Sequence, residues 1–173
     1  IPISQSGESI DVIEPVTRMK KAKGVTVAAV VNTLGSSLYR IADFRAQLEC
    51  GQEKSVAATK SFIAMLSMLL LTAYTVANKQ TEGQNLLKKA AKDIRVILDK
   101  KSIQEIKKVA KVLSKKEHIY IIGRGLSYTG ALEATLKLKE AACVHAEAFP
   151  GGELKHGVIA LIEEGTPCIV FAP

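Results

Sequence analysis

Three charged residues, Glu133, Lys137 and Glu140, follow one another at spacings of four and three in a stretch otherwise rich in Ala and Leu. In an α-helix these spacings place all three side chains on one face. A carboxylate beside a Lys can move a proton between neighbouring carbon atoms. The same pattern also describes a solvated helix face with ordinary ion pairs, and the residues alone leave both interpretations open. The helix follows a Gly-Arg-Gly turn at 123–125. Such a turn, at the carboxyl end of a parallel strand, is where α/β sheets bind ligands, so we expect Glu140 in that region.

A second candidate is the hydroxyl-rich segment Ser-Gln-Ser-Gly-Glu-Ser at 4–9, between a short apolar stretch and a helical pattern that begins at Ile10. Unpaired backbone N–H groups and the helix dipole favour an anion at such a position, and phosphate is the natural ligand. The alternative is an ordinary helix cap formed by Ser6 or Ser9. The segment lacks the Lys of a nucleotide-hydrolysing phosphate loop, which disfavours that class of enzyme.

The third candidate is His156, which is flanked by Gly157 and charged residues and is therefore expected to be accessible. Imidazoles in general titrate near neutral pH, so this side chain could act as a general acid or base. His118 is interpreted as a residue at the edge of a strand without a role. The histidines lack partners one helical turn away and lack paired cysteines nearby, so we expect neither a metal site nor a cofactor.

The elements that must position these residues alternate between strands and helices, which predicts an α/β fold with parallel sheets and helices on both faces. The pattern restarts at His118, so we expect two incomplete α/β units, with domains at 1–98 and 99–173. Expected strands lie at 25–31, 44–49, 118–122, 144–149 and 167–172, and expected helices at 10–22, 83–98, 102–116 and 127–142. The uncharged stretch 61–78 predicts a helix buried in a core or a subunit interface, and not a membrane span.

Composition narrows the class of protein further. Hydrophobic residues make up 47% of the 173 residues, which is enough to bury a core. The three cysteines, at 50, 143 and 168, lie too far apart for a disulfide framework, which favours a reducing, cytoplasmic setting. Residues 79–116 carry 12 basic and 4 acidic side chains, a net charge of +8. Without aromatic residues or an Arg cluster, this stretch predicts a solvated helix face and no nucleic-acid partner.

Five segments together resemble the sugar isomerase (SIS) family. They are Ser-Gln-Ser-Gly-Glu-Ser at 4–9, Val-Ala-Ala-Thr-Lys-Ser at 56–61, Gly-Arg-Gly at 123–125, Ala-Leu-Glu-Ala-Thr-Leu-Lys-Leu-Lys-Glu at 131–140 and the Gly- and His-rich block at 145–157. The resemblance covers nearly the whole chain, and its most specific part is 131–157. It implies tandem SIS units with flavodoxin-like parallel sheets, in agreement with the restart at His118.

The resemblance also implies roles for particular residues. The substrate would be a hexose-6-phosphate, Glu140 the carboxylate that moves a proton between C1 and C2, and His156 the group that assists ring opening from a neighbouring subunit. Lys137 matches the Lys one turn before that carboxylate. The phosphate- and substrate-binding positions implied by the family motifs are Ser4, Gln5, Ser6, Ser9, Val56 and Ala58.

These matches predict a phosphosugar aldose–ketose isomerase domain that interconverts fructose-6-phosphate and glucosamine-6-phosphate. A homodimer is implied, together with a glutaminase domain or another source of ammonia. Ala58, at a position where a Ser is usual, leaves a stand-alone glucosamine-6-phosphate deaminase as an alternative. A non-catalytic phosphosugar-binding module is a further alternative, which Glu140 and His156 disfavour. The chain begins Ile-Pro-Ile-Ser and is expected to be part of a longer protein.

Overall fold

The computed structural model describes residues 1–172. It contains six α-helices and six strands in this range. The strands are β1 (Ile3–Ser4), β2 (Ala28–Val31), β3 (Phe44–Gln47), β4 (His118–Gly123), β5 (His145–Pro150) and β6 (Cys168–Phe171). The helices are α1 (Ile10–Met19), α2 (Ser37–Ile41), α3 (Lys60–Val76), α4 (Gln80–Ile97), α5 (Lys100–Leu113) and α6 (Leu126–Ala142). The predicted α/β fold with parallel sheets is confirmed.

The chain divides into two compact units, Ile1–Ala91 and the residues from Lys92 onward. The boundary falls within α4, and the predicted division into domains at 1–98 and 99–173 stays a prediction. No helix within residues 1–172 is both long enough and apolar enough to cross a membrane.

The first unit is built on a parallel sheet in the order β1-β2-β3. Its core lies against β2, where Val31 is completely buried and Ala29 is 1% exposed. Leu38 from α2 and Val16 from α1 pack in the same cluster. Burial on both faces explains the continuous apolar run of β2, which is typical of parallel strands. The short helix α2, which begins at Ser37, was not among the helices expected from the sequence.

The helix α3 corrects one prediction. Its bounds agree with the apolar stretch, but Ser61 is its only buried residue. Ile63 is 50% exposed, Leu66 49% and Val76 80%, so burial in the core of this chain is wrong. The apolar pattern has no polar face, and for that reason periodicity could not indicate which side would be covered. The alternative of a subunit interface stays a prediction.

The lysine-rich stretch forms α4 and α5, which the sequence placed slightly too late along the chain. Only residues 98 and 99 separate the two helices, and Asp99 caps α5 by accepting a hydrogen bond from the backbone N–H of Ser102 at 2.6 Å. Nearly every residue of these helices is at least partly exposed, as a solvated charged face requires.

The second unit is built on a parallel sheet in the order β5-β4-β6. Ile119 and Ile121 of β4 are buried together with Ala131 of α6 and Ala146 of β5. Gly123 ends β4, and a Cβ atom there would lie 2.4 Å from the carbonyl oxygen of Ser127. A side chain at this position is therefore excluded, which lets α6 begin directly against the end of the strand.

Candidate active site

The segment Ser4–Ser9 leaves the carboxyl end of β1 and closes into a tight loop through its own hydroxyls. The Oγ of the buried Ser4 accepts a hydrogen bond from the N–H of Gly7 at 3.0 Å and lies 3.2 Å from the Oγ of Ser9. The Oγ of Ser6 accepts from the N–H of Glu8 at 3.1 Å. Ser9 occupies the N-cap position of α1 without a capping hydrogen bond from its side chain. The first amides of α1 therefore keep donors available for an anion.

The start of α2 holds this loop from the other side. The carbonyl of Gly7 accepts a hydrogen bond from the N–H of Leu38 at 2.9 Å, and the carboxylate of Glu8 accepts one from the N–H of Ser37 at 2.8 Å. Hydrogen bonding to the side chain of Ser37, followed by the bond from its backbone N–H, holds the pKa of Glu8 below its ordinary value. Gly7 has a φ of +67°, and a Cβ there would lie 2.1 Å from the Oγ of Ser36. Glycine is thus required for both conformation and space.

A cavity of about 500 Å³ lies at the carboxyl ends of the strands of this sheet. Open parallel sheets generally bind ligands at this edge. Gln5, the second residue of the predicted phosphate loop, lines it. The other lining residues are Asn32, Thr33, Gln47, Glu49, Gly51 and Gln52.

Val56 and Ala58 lie in the loop between β3 and α3, which begins beside this cavity. Val56 is 92% exposed, and Ala58 is half-buried. The carboxylate of Glu53 closes the loop, since one of its oxygens accepts hydrogen bonds from the N–H of Thr59 at 2.9 Å and from the N–H and Oγ of Ser61 at 2.9 and 2.7 Å. These bonds, together with the charge of Lys60, lower the pKa of Glu53 to about 2.

The charged residues of α6 form the cluster that their spacing predicts. The ammonium of Lys137 contacts the carboxylate of Glu140 and lies 3.5 Å from that of Glu133. About a quarter of each of these side chains is exposed, 26% for both Lys137 and Glu140. The hydrogen bond to Glu140 raises the pKa of Lys137 above its ordinary value, and the charge of Glu133 adds to this effect. Lys137 therefore bridges two carboxylates on this face of α6.

The location of Glu140 along α6 differs from the sequence-based expectation. α6 starts beside the Gly-Arg-Gly turn at Leu126 and ends at Ala142. At 1.5 Å per residue, Glu140 lies about 21 Å along the helix from that start. A helix that connects parallel strands runs back towards their amino ends, so Glu140 is remote from the carboxyl edge of the sheet. Glu140 therefore lies in the last turn of α6 and not beside the turn at 123–125, and its role at a substrate stays a prediction.

His156 lies in a single 3₁₀ turn, Leu154–His156, after β5. Its side chain is 70% exposed, which confirms the predicted accessibility, and its Nδ1 lies 3.0 Å from the carboxylate of Glu153. This contact orients the imidazole and does not involve its other nitrogen. The Nδ1 of His118 lies 3.0 Å from the Nδ1 of His145. The absence of a role for His118 stays a prediction.

The structure thus groups the predicted residues into local clusters. It brings together Ser4 with Ser9, and Lys137 with Glu140, while His156 pairs with Glu153. Within residues 1–172, no three His, Cys, Asp or Glu side chains converge as metal ligands.

Neither Glu53 nor Glu8 was expected from the sequence to hold a loop. Glu53 reaches Ser61 across eight residues, and this spacing is not that of a capping box, so no local signal indicated the contact. The contact between Glu8 and Ser37 spans 29 residues and has no local signal.

A match to a known family of domains identifies the class of this protein. The profile of the SIS domain matches residues 1–74 and 112–173, and the chain belongs to this family, as its motifs predicted.

Two curated proteins are similar to this chain over nearly its whole length. Glutamine–fructose-6-phosphate aminotransferase (isomerizing) of Sulfurisphaera tokodaii is 41% identical over 171 residues, which are 98% of this chain and 28% of that protein. The enzyme of the same name from Aquifex aeolicus is 40% identical over 173 residues, 100% of this chain and 29% of that protein. The chain therefore spans less than a third of the curated relatives that it matches.

A solved structure supports the same comparison. The C-terminal domain of glucosamine-fructose-6-phosphate aminotransferase from Francisella tularensis superimposes with a TM-score of 0.83 at 37% identity. The match covers 97% of this chain and 49% of that domain. This chain is thus similar to the SIS domains of these aminotransferases over nearly its whole length.

Proposed function

We propose that this chain carries part of an isomerase site that converts fructose-6-phosphate and ammonia into glucosamine-6-phosphate and water. The observation that carries the proposal is the cluster on α6, where Lys137 contacts Glu140 and lies 3.5 Å from Glu133. A carboxylate that is about three-quarters covered and lies beside a cation suits the transfer of a carbon-bound proton. Relatives named for this reaction support the choice of substrate.

The proposed reaction proceeds in three steps. His156 assists opening of the sugar ring, and ammonia then adds at C2 and expels water to form an imine. Glu140 takes a proton from C1 to give an enolamine and returns a proton to C2, while the C1 hydroxyl becomes the aldehyde. The phosphate, bound by Ser4–Ser9, contributes binding energy that orients the reacting carbons.

The test is the interconversion itself, measured with the complete gene product that contains this sequence. We expect glucosamine-6-phosphate to form from fructose-6-phosphate with ammonium chloride, and we expect unphosphorylated fructose to bind much more weakly. Equal binding of the two sugars would contradict the phosphate assignment. Binding of fructose-6-phosphate without turnover in either direction would favour the non-catalytic phosphosugar-binding module.

A glucosamine-6-phosphate deaminase is the second candidate, because Ala58 provides no hydroxyl to the sugar. It would use the same residues in the opposite direction. Release of ammonia from glucosamine-6-phosphate, without net synthesis at high ammonium concentration or with glutamine, would favour it.

A homodimer belongs to the same proposal, with His156 acting in the site of the partner. Co-expression of Glu140→Gln and His156→Ala subunits tests this arrangement. If His156 acts across subunits, a mixed dimer contains one intact site and regains activity. If it acts within its own subunit, each site of the mixed dimer lacks one group and activity stays low.

A further inference from the structure

The loop that carries Val56 and Ala58 has little packing of its own. Val56 is 92% exposed, and the one side-chain hydrogen bond inside the loop joins the Oγ of Ser55 to the carbonyl of Ala57 at 2.9 Å. Such a segment keeps a defined conformation only if its ends are held. The two ends of the loop therefore decide where Val56 and Ala58 lie.

Glu53 holds the far end of this loop. Thr59 is the N-cap residue of α3 but forms no capping hydrogen bond through its side chain. Glu53 replaces it from outside the helix, with one carboxylate oxygen accepting from Thr59 N–H and from both donors of Ser61. Ser61 is completely buried, so its hydroxyl depends on this acceptor. Bonds to a charged acceptor are about twice as strong as neutral ones.

Asn32 holds the near end. Its side-chain amide donates to the carbonyl of Gly51 at 2.8 Å, and its Oδ1 accepts from the N–H of Cys50 at 3.3 Å. The backbone N–H of Asn32 donates to the carbonyl of Gln5 at 3.1 Å. One residue at the end of β2 thus joins the phosphate loop to the start of the loop that Glu53 closes.

We propose that Glu53 is a positioning residue, whose carboxylate fixes the loop 54–58 so that Val56 and Ala58 meet the phosphosugar. The proposal rests on the function proposed above. Glu53 itself is not a catalytic residue, since its accepting oxygen is already shared by three donors. Preorganisation of this kind stabilises the bound substrate without supplying a proton.

Glu53→Gln in the complete gene product tests this role, because it keeps the shape of the side chain and removes its charge. We expect KM for fructose-6-phosphate to rise about tenfold, equivalent to ~1.4 kcal/mol. We expect kcat to change much less, and inhibition by inorganic phosphate to stay unchanged, since the phosphate loop keeps its own hydrogen bonds. Ser61→Ala, which removes one donor, should shift KM in the same direction by a smaller factor and serves if Glu53→Gln does not fold.

Asp99→Asn is the matched control. Asp99 caps α5 through Ser102 as Glu53 caps α3, but it lies outside the proposed site. We expect it to lower thermal stability slightly and to leave KM at the wild-type value. If Glu53→Gln also lowers stability while KM stays unchanged, Glu53 is only a helix cap and the proposal is wrong. A parallel loss of inorganic phosphate binding would equally overturn it, because the effect would then extend beyond the loop.

Amide hydrogen exchange provides a readout that does not require turnover. We expect exchange at 54–61 to accelerate about tenfold in Glu53→Gln and to remain unchanged in Asp99→Asn. Wild-type exchange rates at 54–61 in the Glu53 variant would refute the positioning role. If the wild-type protein fails to act on fructose-6-phosphate while exchange responds as expected, the proposed function fails and the role of Glu53 in holding the loop remains.

Discussion

Replacing Glu140 with Gln tests whether Glu140 transfers a proton or only takes part in an ion pair on the helix surface. The substitution retains the shape and hydrogen-bonding capacity of the side chain and removes the proton acceptor. Lys137 keeps a second carboxylate in the variant, because Glu133 lies 3.5 Å from its ammonium. The variant therefore leaves Lys137 with a carboxylate partner, and we expect it to fold.

The two interpretations predict effects of very different size. An ion pair between residues one helical turn apart contributes ~0.3–0.5 kcal/mol, so its loss should lower the melting temperature by about 1–2 °C. Loss of a general base lowers the rate by about 10²- to 10⁴-fold, which corresponds to roughly 3–5 kcal/mol of activation free energy. The catalytic effect thus exceeds the effect on stability several times over.

Solvent deuterium entering the sugar at C1 and C2 reports the proton transfer directly. We expect the complete gene product with Glu140→Gln to incorporate deuterium at least about 10²-fold more slowly than the wild type, while calorimetry still detects substrate binding. Glu105→Gln is the control, because Glu105 pairs with Lys108 on α5 at 2.7 Å over the same spacing of three residues, with both side chains largely exposed. It should reduce stability to a similar extent and leave exchange unchanged.

Two results would refute this reasoning. If Glu140→Gln exchanges deuterium at the wild-type rate, the cluster is a solvated helix face and the enzymatic interpretation loses its main residue. If Glu133→Gln shows the loss and Glu140→Gln does not, the proton acceptor is the other carboxylate that flanks Lys137.

Four further outcomes are expected. Ser6→Ala should raise KM for fructose-6-phosphate about five- to tenfold with a smaller change in kcat, and an effect confined to kcat would contradict the phosphate assignment. Gly7→Ala should lower the free energy of unfolding in urea by about 2–4 kcal/mol. Gly24 has a similar φ of +80° but no atom within 4 Å of an added Cβ, so Gly24→Ala should lower it by only about 1 kcal/mol. Equal losses in the two variants would show that the contact with Ser36 is unimportant. Because the folded-state pKa of Glu53 is lowered from 4.5 to about 2, its stabilising effect is present above pH 4.5 and lost as the pH falls towards 2. The stability difference between wild type and Glu53→Gln should shrink over that window, and a constant difference would contradict the shift. Residues 79–116 should give no salt-sensitive binding to labelled DNA or RNA in fluorescence anisotropy, and sub-micromolar affinity near physiological salt would overturn the solvated-face interpretation.

Local patterns in the chain were sufficient to predict much of this protein. The continuous apolar run of β2 and the restart at His118 indicated two parallel α/β units, because burial on both faces of a parallel strand leaves a signature in consecutive residues. The spacing of Glu133, Lys137 and Glu140 predicted their contact, since residues one helical turn apart are neighbours whatever surrounds the helix. The order of the motifs was enough to identify the family.

Exposure of α3 and the position of Glu140 required the three-dimensional structure. An evenly apolar helix does not indicate which of its faces will be covered, and only Ser61 of α3 is buried within the chain. The sequence placed Glu140 in the correct helix but not at the correct edge of the sheet. The distance between Glu140 and the turn at 123–125 depends on the length and direction of α6, and it is about 21 Å along the helix.

The tertiary structure likewise decided which side chains hold the predicted phosphate loop and the loop 54–58. Glu8 reaches Ser37 across 29 residues, and Asn32 reaches Cys50 across 18. Such hydrogen bonds depend on which strands are neighbours and in which register, so no spacing along the chain predicts them. The sequence by itself therefore determined the residue types available for chemistry and their local faces. Only the packing of β1, β2 and β3 determined which side chains hold them in place, because the carboxyl ends of the strands meet only after the sheet has formed.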